Sequence, residues 1–335
     1  MKLKSFLLFL VFLFFLGCKD GAKGNYVTAY TAHDQIYSEP VFQLFTEKTG
    51  IEVRAVYDTE AVKTAGLVAR LMAEEKSPQC DVFWNNEIIR TIALKKKGML
   101  QRYQSPEAAM YPSEYRDSDG FWTGFGGRAR VFIYNKNLIK DTSELPNSIF
   151  ALKDPAWKGK TAIGKPLFGT TATHAAFLFA KMGSSNAKQF LLDMKKNEVI
   201  VTAGNAMVRD MVAHGRVPLG LTDTDDVNGA IEDGFPVDMI YPDSDADKTL
   251  VIPNTVSLIK GAPHPENGKR LIDFLLSRET EEFLNRNRAA QIPLRTDATS
   301  NARIPALKDI PYEHVDWEKV ADALDESTEF IQKEF

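Results

Sequence analysis

Hydrophobic and polar residues follow two different periods along the chain, and the change of period marks helices and strands. Residues 26–30 are predicted to form a strand, and residues 39–48 a helix with its apolar side chains on one face. Gly50 ends this helix, and residues 51–55 carry an apolar side chain at every second position, which predicts the next strand. This strand–helix–strand unit is typical of the start of a parallel sheet.

The same alternation continues to the end of the chain. Further helices are predicted at residues 61–75, 87–97, 175–182, 206–214, 267–276, 279–287 and 317–333, and further strands at 80–84, 128–134, 199–202, 218–222 and 252–259. Residues 101–125 form an aromatic loop region between two such blocks. The pattern predicts an α/β fold with two lobes and a cleft. Because ligands of such sheets bind beyond the carboxyl ends of the strands, functional residues are expected in the loops that follow strands.

The N-terminus carries an export signal. Lys2 and Lys4 precede an apolar run at residues 6–16, which is shorter than the roughly 20 residues that span a bilayer. The pattern predicts a secretory signal peptide at residues 1–17. Gly17-Cys18 resembles a bacterial lipoprotein cleavage box, which implies lipidation of Cys18 and a lipid-anchored protein on the periplasmic or extracellular face of a bacterial membrane. Ordinary secretion and an uncleaved anchor are the alternatives.

Composition narrows the classes of function. The apolar content of 44% and the net charge of −4, with both signs interspersed, are globular values without a basic patch for nucleic acid. Cys80 precedes a short apolar segment and is expected to be a buried thiol rather than a nucleophile. The chain has no Gly-x-Ser-x-Gly, Walker or His-Glu-x-x-His motif, so neither an enzyme nor a catalytic cofactor is predicted.

Several segments together resemble the ferric-iron-type substrate-binding proteins of bacterial ABC importers. The matching stretches are residues 30–33, 49–53, 81–87, 127–131, 154–159 and 289–294. The resemblance implies a monomeric receptor of the type II periplasmic-binding-protein fold, whose chain crosses between two hinged lobes more than once. Lobe 1 is expected to comprise residues 25–125 and 252–305, and lobe 2 residues 126–251 and 306–335.

The resemblance also implies a metal site. In iron-binding members, a His and a Glu of the first lobe and two adjacent tyrosines of the second hold the metal, and His33 and Glu87 fall on the first two positions. The tyrosine pair is absent, and Asp225 and Asp226 stand in that stretch. Because carboxylates suit a hard cation, these four residues are the candidate ferric ligands. Alternatively, His33 is a solvated histidine, Glu87 lies in the first turn of a helix, and the aspartates cap the next helix.

A second set of residues favours an anion. Thr170, Thr171 and Thr173 precede the helix predicted from residue 175, and Asn205 precedes the next predicted helix, an arrangement typical of phosphate or carboxylate sites. Three further candidate ligand residues are Arg128, Arg130 and Asp223. The two arginines lie two positions apart on one face of a strand and can bind an anion in a bidentate manner. Alternatively, the threonines cap the helix and the arginines make ion pairs.

The sequence therefore predicts an ABC-transporter solute-binding lipoprotein that closes on a small ligand and delivers it to a membrane permease. Ferric iron or a ferric–anion complex is the first candidate ligand. A small phosphorylated, phosphonate or carboxylate solute is the alternative.

Overall fold

The computed structural model describes residues 24–58, 64–242, 248–301 and 303–335. The strands are β1 (Tyr26–Thr31), β2 (Glu52–Tyr57), β3 (Val82–Asn85), β4 (Leu100–Gln101), β5 (Thr123–Asn135), β6 (Thr161–Gly164), β7 (Ile200–Thr202), β8 (Leu219–Asp223), β9 (Val237–Ile240) and β10 (Val251–Ile259). The α-helices are α1 (Gln35–Thr49), α2 (Ala65–Ala73), α3 (Ile89–Lys96), α4 (Gly169–Met182), α5 (Ser184–Lys196), α6 (Asn205–Ala213), α7 (Thr224–Glu232), α8 (Pro265–Leu275), α9 (Arg278–Arg286), α10 (Trp317–Asp322) and α11 (Leu324–Glu334). Signal residues 1–17 and Cys18 lie outside the described residues. No helix in the described part has the length and apolar character to span a membrane.

The strands form one mixed sheet in the order β2-β1-β3-β10-β5-β8-β6-β7, with β4 on β10 and β9 on β5. β1 pairs in parallel with β2 and β3, as the opening strand–helix–strand unit predicts. β6 likewise pairs in parallel with β7 and β8. Two parallel groups are thus joined through the antiparallel strands β5 and β10.

β5 connects the two groups. All thirteen of its residues are buried. Its first part, Thr123 to Ala129, pairs with β10, and its second part, Arg130 to Tyr134, pairs with β8. We call lobe 1 the part built on β1 to β4 with α1, α2, α3, α8 and α9, and lobe 2 the part built on β6 to β9 with α4 to α7.

The junction between the lobes is irregular. The pairing of β5 with β10 shifts register between Pro253 and Asn254, and Gly126 on the opposing strand has a φ of +50°. Such a conformation favours glycine because it has no Cβ. β5 and β10 therefore both bend where the chain passes from one lobe to the other.

The C-terminal segment differs from the sequence prediction of one helix over residues 317–333. The helix is interrupted at Ala323, so that α10 and α11 are separate. α10 packs against α3 of lobe 1 and α4 of lobe 2, whereas α11 packs against α4 and α5. Because of this break, α10 can contact both lobes while α11 packs on lobe 2. A single straight helix could not make both sets of contacts.

The start of α4 is also corrected. The sequence predicts the helix from residue 175, but α4 begins at Gly169 and includes the whole threonine run. Threonine favours caps in isolation, but Thr170, Thr171 and Thr173 are buried, and tertiary packing overrides the local preference. Helix α5 and strands β4, β6 and β9 were not predicted. Cys80 is a buried free thiol, which confirms the sequence prediction.

Candidate functional site

A cavity of about 390 Å³ lies between the lobes at the carboxyl ends of the strands. Its described lining is Asp34, Ile36, Tyr37, Asn86, Arg128, Lys165, Phe168, Gly169, Thr170, Thr171, Ala203, Gly204, Asn205, Ala206, Arg209, Asp223, Asp225, Asp226 and Arg288. Most of these residues follow strands β1, β3, β6, β7 and β8 directly. Their position agrees with the expectation that ligands bind where parallel strands end.

Two helices of lobe 2 point their N-termini into this cavity. α4 follows Phe168 and α6 follows Gly204, and no side chain caps either helix. The first hydrogen bonds within these helices are donated by Ala172 and Val208. The amide N–H groups of the first three residues of each helix therefore have no helical partner, and helix N-termini of this kind attract anions.

Gly164 brings β6 close to α6. A Cβ atom at this position would lie 3.0 Å from Oδ1 of Asn205 and 3.2 Å from the carbonyl carbon of Gly204. A larger residue would have to displace backbone at the start of α6. The glycine thus permits the N-terminus of α6 to approach that of α4.

Asp223 holds the two helix N-termini together. This carboxylate is 1% exposed and lies 2.6 Å from Nη1 of Arg130. Its Oδ2 accepts hydrogen bonds from the Thr170 hydroxyl at 2.5 Å and from Nδ2 of Asn205 at 2.9 Å. Burial alone raises the pKa of Asp223, but the guanidinium groups of Arg130 and Arg128 outweigh it, so the pKa lies below its ordinary value. Asp223 is therefore charged and fully bonded within the protein.

The threonine hydroxyls belong to this internal network. The Thr170 hydroxyl donates to Asp223 and accepts from Nη1 of Arg130 and Nδ2 of Asn205. The Thr171 hydroxyl donates to Oδ1 of Asn205 at 3.0 Å. The Thr173 hydroxyl donates across the cleft to Oε2 of Glu87 at 3.0 Å. The structure thus uses these hydroxyls to position the helices, and the donors that remain for an anion are the backbone N–H groups.

Arg128 and Arg130 occupy different places although they share a strand face. Arg128 lines the cavity, and its Nη1 lies 3.7 Å from Asp223 and 3.8 Å from Asp225. Its Nη2 donates to the carbonyl of Asn86 in lobe 1. Arg130 is bonded to Asp223 and the threonines and does not line this cavity. Arg128 is therefore the arginine placed to meet a ligand.

Three carboxylates gather at the start of α7. One oxygen from each of Asp223, Asp225 and Asp226 lies within 4.8 Å of the others, a spacing that suits a bound cation. Asp225 is buried, and burial, together with the charges of Asp226 and Asp223, raises its pKa to about 8 despite the nearby Arg128. Asp226 accepts a hydrogen bond from the Thr222 hydroxyl at 2.6 Å. At neutral pH, then, much of Asp225 is protonated.

His33 and Glu87 lie outside the lining of the cavity. The His33 ring is buried and stacks on Trp84 at 5.2 Å between ring centroids. The Glu87 carboxylate accepts a hydrogen bond from the N–H of Ile89 at 2.7 Å and the one from Thr173. The structure therefore brings Asp225 and Asp226 together with Asp223, but not with His33 and Glu87. The four-residue ferric ligand set stays a prediction.

Several lining residues were not identified in the sequence. They include Asp34, Asn86, Lys165, Arg209 and Arg288. Lys165 follows β6 directly, so recognition of that strand would have indicated it. Arg209 lies one helical turn after Asn205 and therefore on the same face of α6. Arg288 follows α9 from the other lobe, and only the tertiary fold places it here.

A two-lobed α/β chain with a polar cavity at its strand ends is the architecture of a solute receptor. A family model described as "Bacterial extracellular solute-binding protein" matches residues 81–323, and the chain belongs to this family. The match confirms the resemblance found in the sequence and the solute-binding function that it implied.

Relatives with two kinds of ligand are similar to this chain. "Iron uptake protein A1" of Synechocystis sp. is 25% identical over 314 residues, which cover 91% of this chain and 84% of that protein. The "Putative 2-aminoethylphosphonate-binding periplasmic protein" of Salmonella typhi is 28% identical over 303 residues, covering 87% and 85%. The crystal structure of iron-bound HitA from Pseudomonas aeruginosa superposes with a TM-score of 0.83 at 21% identity, covering 92% of this chain and 98% of that one. This superposition confirms the predicted fold class.

Proposed function

We propose that the protein captures a small organic solute through a phosphonate, phosphate or carboxylate group and delivers it to the permease of an ABC importer. The observation that supports this proposal most strongly is the pair of uncapped helix N-termini, α4 and α6, that open into one cavity beside Arg128. Oriented N–H groups and a guanidinium are the donors that an oxyanion requires. The anionic head of the solute binds at this wall.

The charges around the cavity support an anion more than a bare cation. Arg128, Lys165, Arg209 and Arg288 all line it. The acidic lining residues are Asp34, Asp223, Asp225 and Asp226. Of these, Asp223 is already paired with Arg130 at 2.6 Å, and the raised pKa of Asp225, about 8, keeps much of that carboxyl neutral at pH 7. Each hydrogen bond from Arg128 or a helix N–H group to a charged head is worth roughly 1.5–3 kcal/mol.

Ferric iron or a ferric–anion complex is the second candidate. It is favoured by the Asp223–Asp225–Asp226 group, whose oxygens lie within 4.8 Å of one another. Carboxylate oxygens suit a hard cation, and an accompanying anion would occupy the same helix N-termini. The tyrosine of the cavity, Tyr37, does not offer a phenolate readily because burial and the nearby aspartates raise its pKa well above its ordinary value.

Capture follows from closure of the two lobes, and the ligand favours the closed state by its greater affinity for that state. The described residues show cross-cleft contacts of the kind that closure requires. Arg288 of lobe 1 lies 2.5 Å from Asp233 of lobe 2, and Arg303 donates to Asn228 at 3.0 Å. In this proposal the protein is a monomeric receptor and performs no catalysis.

The ligand is tested in two ways. Native mass spectrometry and elemental analysis of protein purified without chelator are expected to show a phosphorus-bearing or carboxylate solute. Calorimetry of chelator-stripped protein is expected to show binding of 2-aminoethylphosphonate or inorganic phosphate. Stoichiometric iron in the first experiment, and heat only with ferric citrate in the second, would establish the second candidate instead.

The anchor is a separate part of the proposal. Cys18 after Gly17 is proposed to carry the lipid that holds the protein at the periplasmic or extracellular membrane face. Cys18→Ser should abolish labelling by a radioactive fatty acid and release or misprocess the protein. Equal labelling of the variant would remove the lipoprotein assignment.

A further inference from the structure

Glu87 and Arg90 of lobe 1 contact the segment of lobe 2 that lines the cavity, and they do so on the side away from the cavity. The Thr173 hydroxyl donates to Oε2 of Glu87 at 3.0 Å. Arg90 donates from Nη2 to the carbonyl of Leu167 at 2.9 Å. Glu87 is 0% and Arg90 8% exposed, and neither lines the cavity. Water therefore competes little for either cross-cleft bond.

The segment held by these contacts is the one that faces the ligand. Leu167 lies two residues before α4, and Thr173 lies in the second turn of that helix. Between them, Gly169, Thr170 and Thr171 line the cavity. The N-terminus of α4 is thus placed between the cavity on one side and α3 on the other.

The lobe 1 side of this contact is rigid. Both oxygens of Glu87 have partners within lobe 1: the N–H of Ile89 donates to Oε2 at 2.7 Å, and Nδ2 of Asn85 donates to Oε1 at 3.1 Å. Nη1 of Arg90 lies 3.8 Å from Oε1 of Glu87. The carboxylate is thereby fixed at the start of α3, where a negative charge is favoured.

We infer that Glu87 and Arg90 form a cross-cleft latch that positions the N-terminus of α4 and favours the closed arrangement of the lobes. Both are positioning residues, because neither lines the cavity where the ligand binds. The inference rests on the proposed function for its effect on affinity. It gives Glu87 a role different from the metal ligand that the sequence predicted.

The test compares Thr173→Val, which removes the hydroxyl and keeps the shape, with Thr173→Ser, which keeps the hydroxyl. Glu87 retains its bonds to Ile89 and Asn85 in both variants, so both are expected to fold. Thr173→Val should weaken binding of 2-aminoethylphosphonate by about tenfold, the value of one hydrogen bond to a charged group. Thr173→Ser should bind like the wild type, and both variants should show the wild-type circular dichroism spectrum, which establishes that they are folded.

A second readout follows closure without any ligand. Spin labels at Met72→Cys in lobe 1 and Leu192→Cys in lobe 2 report the separation of the lobes, since these residues are 43% and 36% exposed. Cys80 is 0% exposed and is not expected to react. Thr173→Val should shift the distances between labels to longer values, and Thr173→Ser should not.

The outcomes separate the latch from its alternatives. Unchanged label distances and affinity in Thr173→Val would overturn the inference. It would also be overturned if Glu87→Gln abolished binding of ferric citrate while Thr173→Val left that binding intact, because Glu87 would then act as a metal ligand. If the wild type bound ferric citrate but no phosphonate, phosphate or carboxylate solute, the proposed function would fail, and the label distances of the unliganded variants would still decide the latch.

Discussion

The two walls of the cavity are built in different ways. The lobe 2 wall carries two helix N-termini that are fixed by Asp223, whose oxygens bond Arg130, Thr170 and Asn205. The lobe 1 wall offers Asp34, Ile36, Tyr37, Asn86 and Arg288, of which Ile36 is 65% exposed. In the proposed function, lobe 2 is therefore preorganised to select the anion, while lobe 1 covers it when the lobes meet.

A second contrast lies within the lobe 2 wall. Asp223 and Asp225 are two residues apart and both buried, yet Arg130 and Arg128 lower the pKa of Asp223 despite its burial, whereas burial raises that of Asp225 to about 8. The nearest guanidinium is 2.6 Å from Asp223 but 3.8 Å from Asp225. Proximity to an arginine thus decides which carboxylate is structural and which can respond to ligand or pH.

The largest effect is expected for the structural carboxylate. Asp223→Asn leaves the buried Arg130 without its counter-charge, so stability should fall by about 3–5 kcal/mol and anion affinity by about a hundredfold. Urea denaturation and calorimetry measure the two losses. Asp226→Asn, in the same carboxylate group but not bonded to Arg130, is the matched control and should lose much less stability. A stability loss in Asp223→Asn no larger than that in Asp226→Asn would show that the pairing of Asp223 with Arg130 does not hold the lobe 2 wall together.

An intermediate effect is expected from pH. Ionisation of Asp225 adds a negative charge to the anion site, so affinity for 2-aminoethylphosphonate should fall as the pH rises through about 8. The pKa of Asp225 is higher in the folded protein than in the unfolded chain, so the stability linked to this carboxyl is fully present at a pH below the unfolded pKa. It is lost as the pH rises through the folded pKa of about 8. Asp225→Asn should abolish both dependences.

The same titration distinguishes the two candidate ligands. A cation held by Asp225 would bind more tightly as that carboxyl ionises, so affinity for ferric citrate would rise through the same pH interval. Calorimetry of the wild type and Asp225→Asn from pH 6 to pH 9 shows whether affinity rises or falls with pH. An affinity for 2-aminoethylphosphonate that rises with pH would contradict the proposed anion site.

The smallest effect is expected in the lobe 1 wall. Arg288 is half-exposed, and its ion pair with Asp233 spans the cleft at 2.5 Å. Exposed pairs contribute about 0–1 kcal/mol, so Arg288→Gln should weaken binding no more than about fivefold. Calorimetry against the wild type measures it, and a loss as large as that of Asp223→Asn would mean that lobe 1 selects the ligand after all.

The sequence predicts the parts of the fold that are set by local periodicity. The opening strand–helix–strand unit and the strand at residues 252–259 appear because apolar residues repeat at the right spacing and glycine ends the first helix. The start of α4 could not be predicted, because the burial that makes Thr170 and Thr171 helical is tertiary. The length of β5 was also missed, since its thirteen buried residues serve two lobes and Gly126 interrupts the expected pattern.

The sequence also predicted part of the candidate site. Asp225 and Asp226 were identified because they stand in the stretch where the family resemblance places a tyrosine pair, and Asp223 lies in the same run. Arg128 was identified as one of two arginines on a strand face, and all four residues line the cavity. The threonines were identified as donors to an anion, but only the fold shows that the hydroxyl of Thr170 is occupied by Asp223 and Arg130. Arg288 reaches the cavity from a different lobe, and no local pattern indicates such a contact.

The most direct measurement of the central claim is a nuclear magnetic resonance titration that follows the backbone amides of Gly169 and Ala206. These amides lie in the first turns of α4 and α6 and line the cavity. If the helix N-termini bind the anion, 2-aminoethylphosphonate should shift both amide protons downfield, with one shared saturation curve, in the wild type. Unchanged Gly169 and Ala206 resonances, with shifts confined to Asp225 and Asp226, would contradict the account.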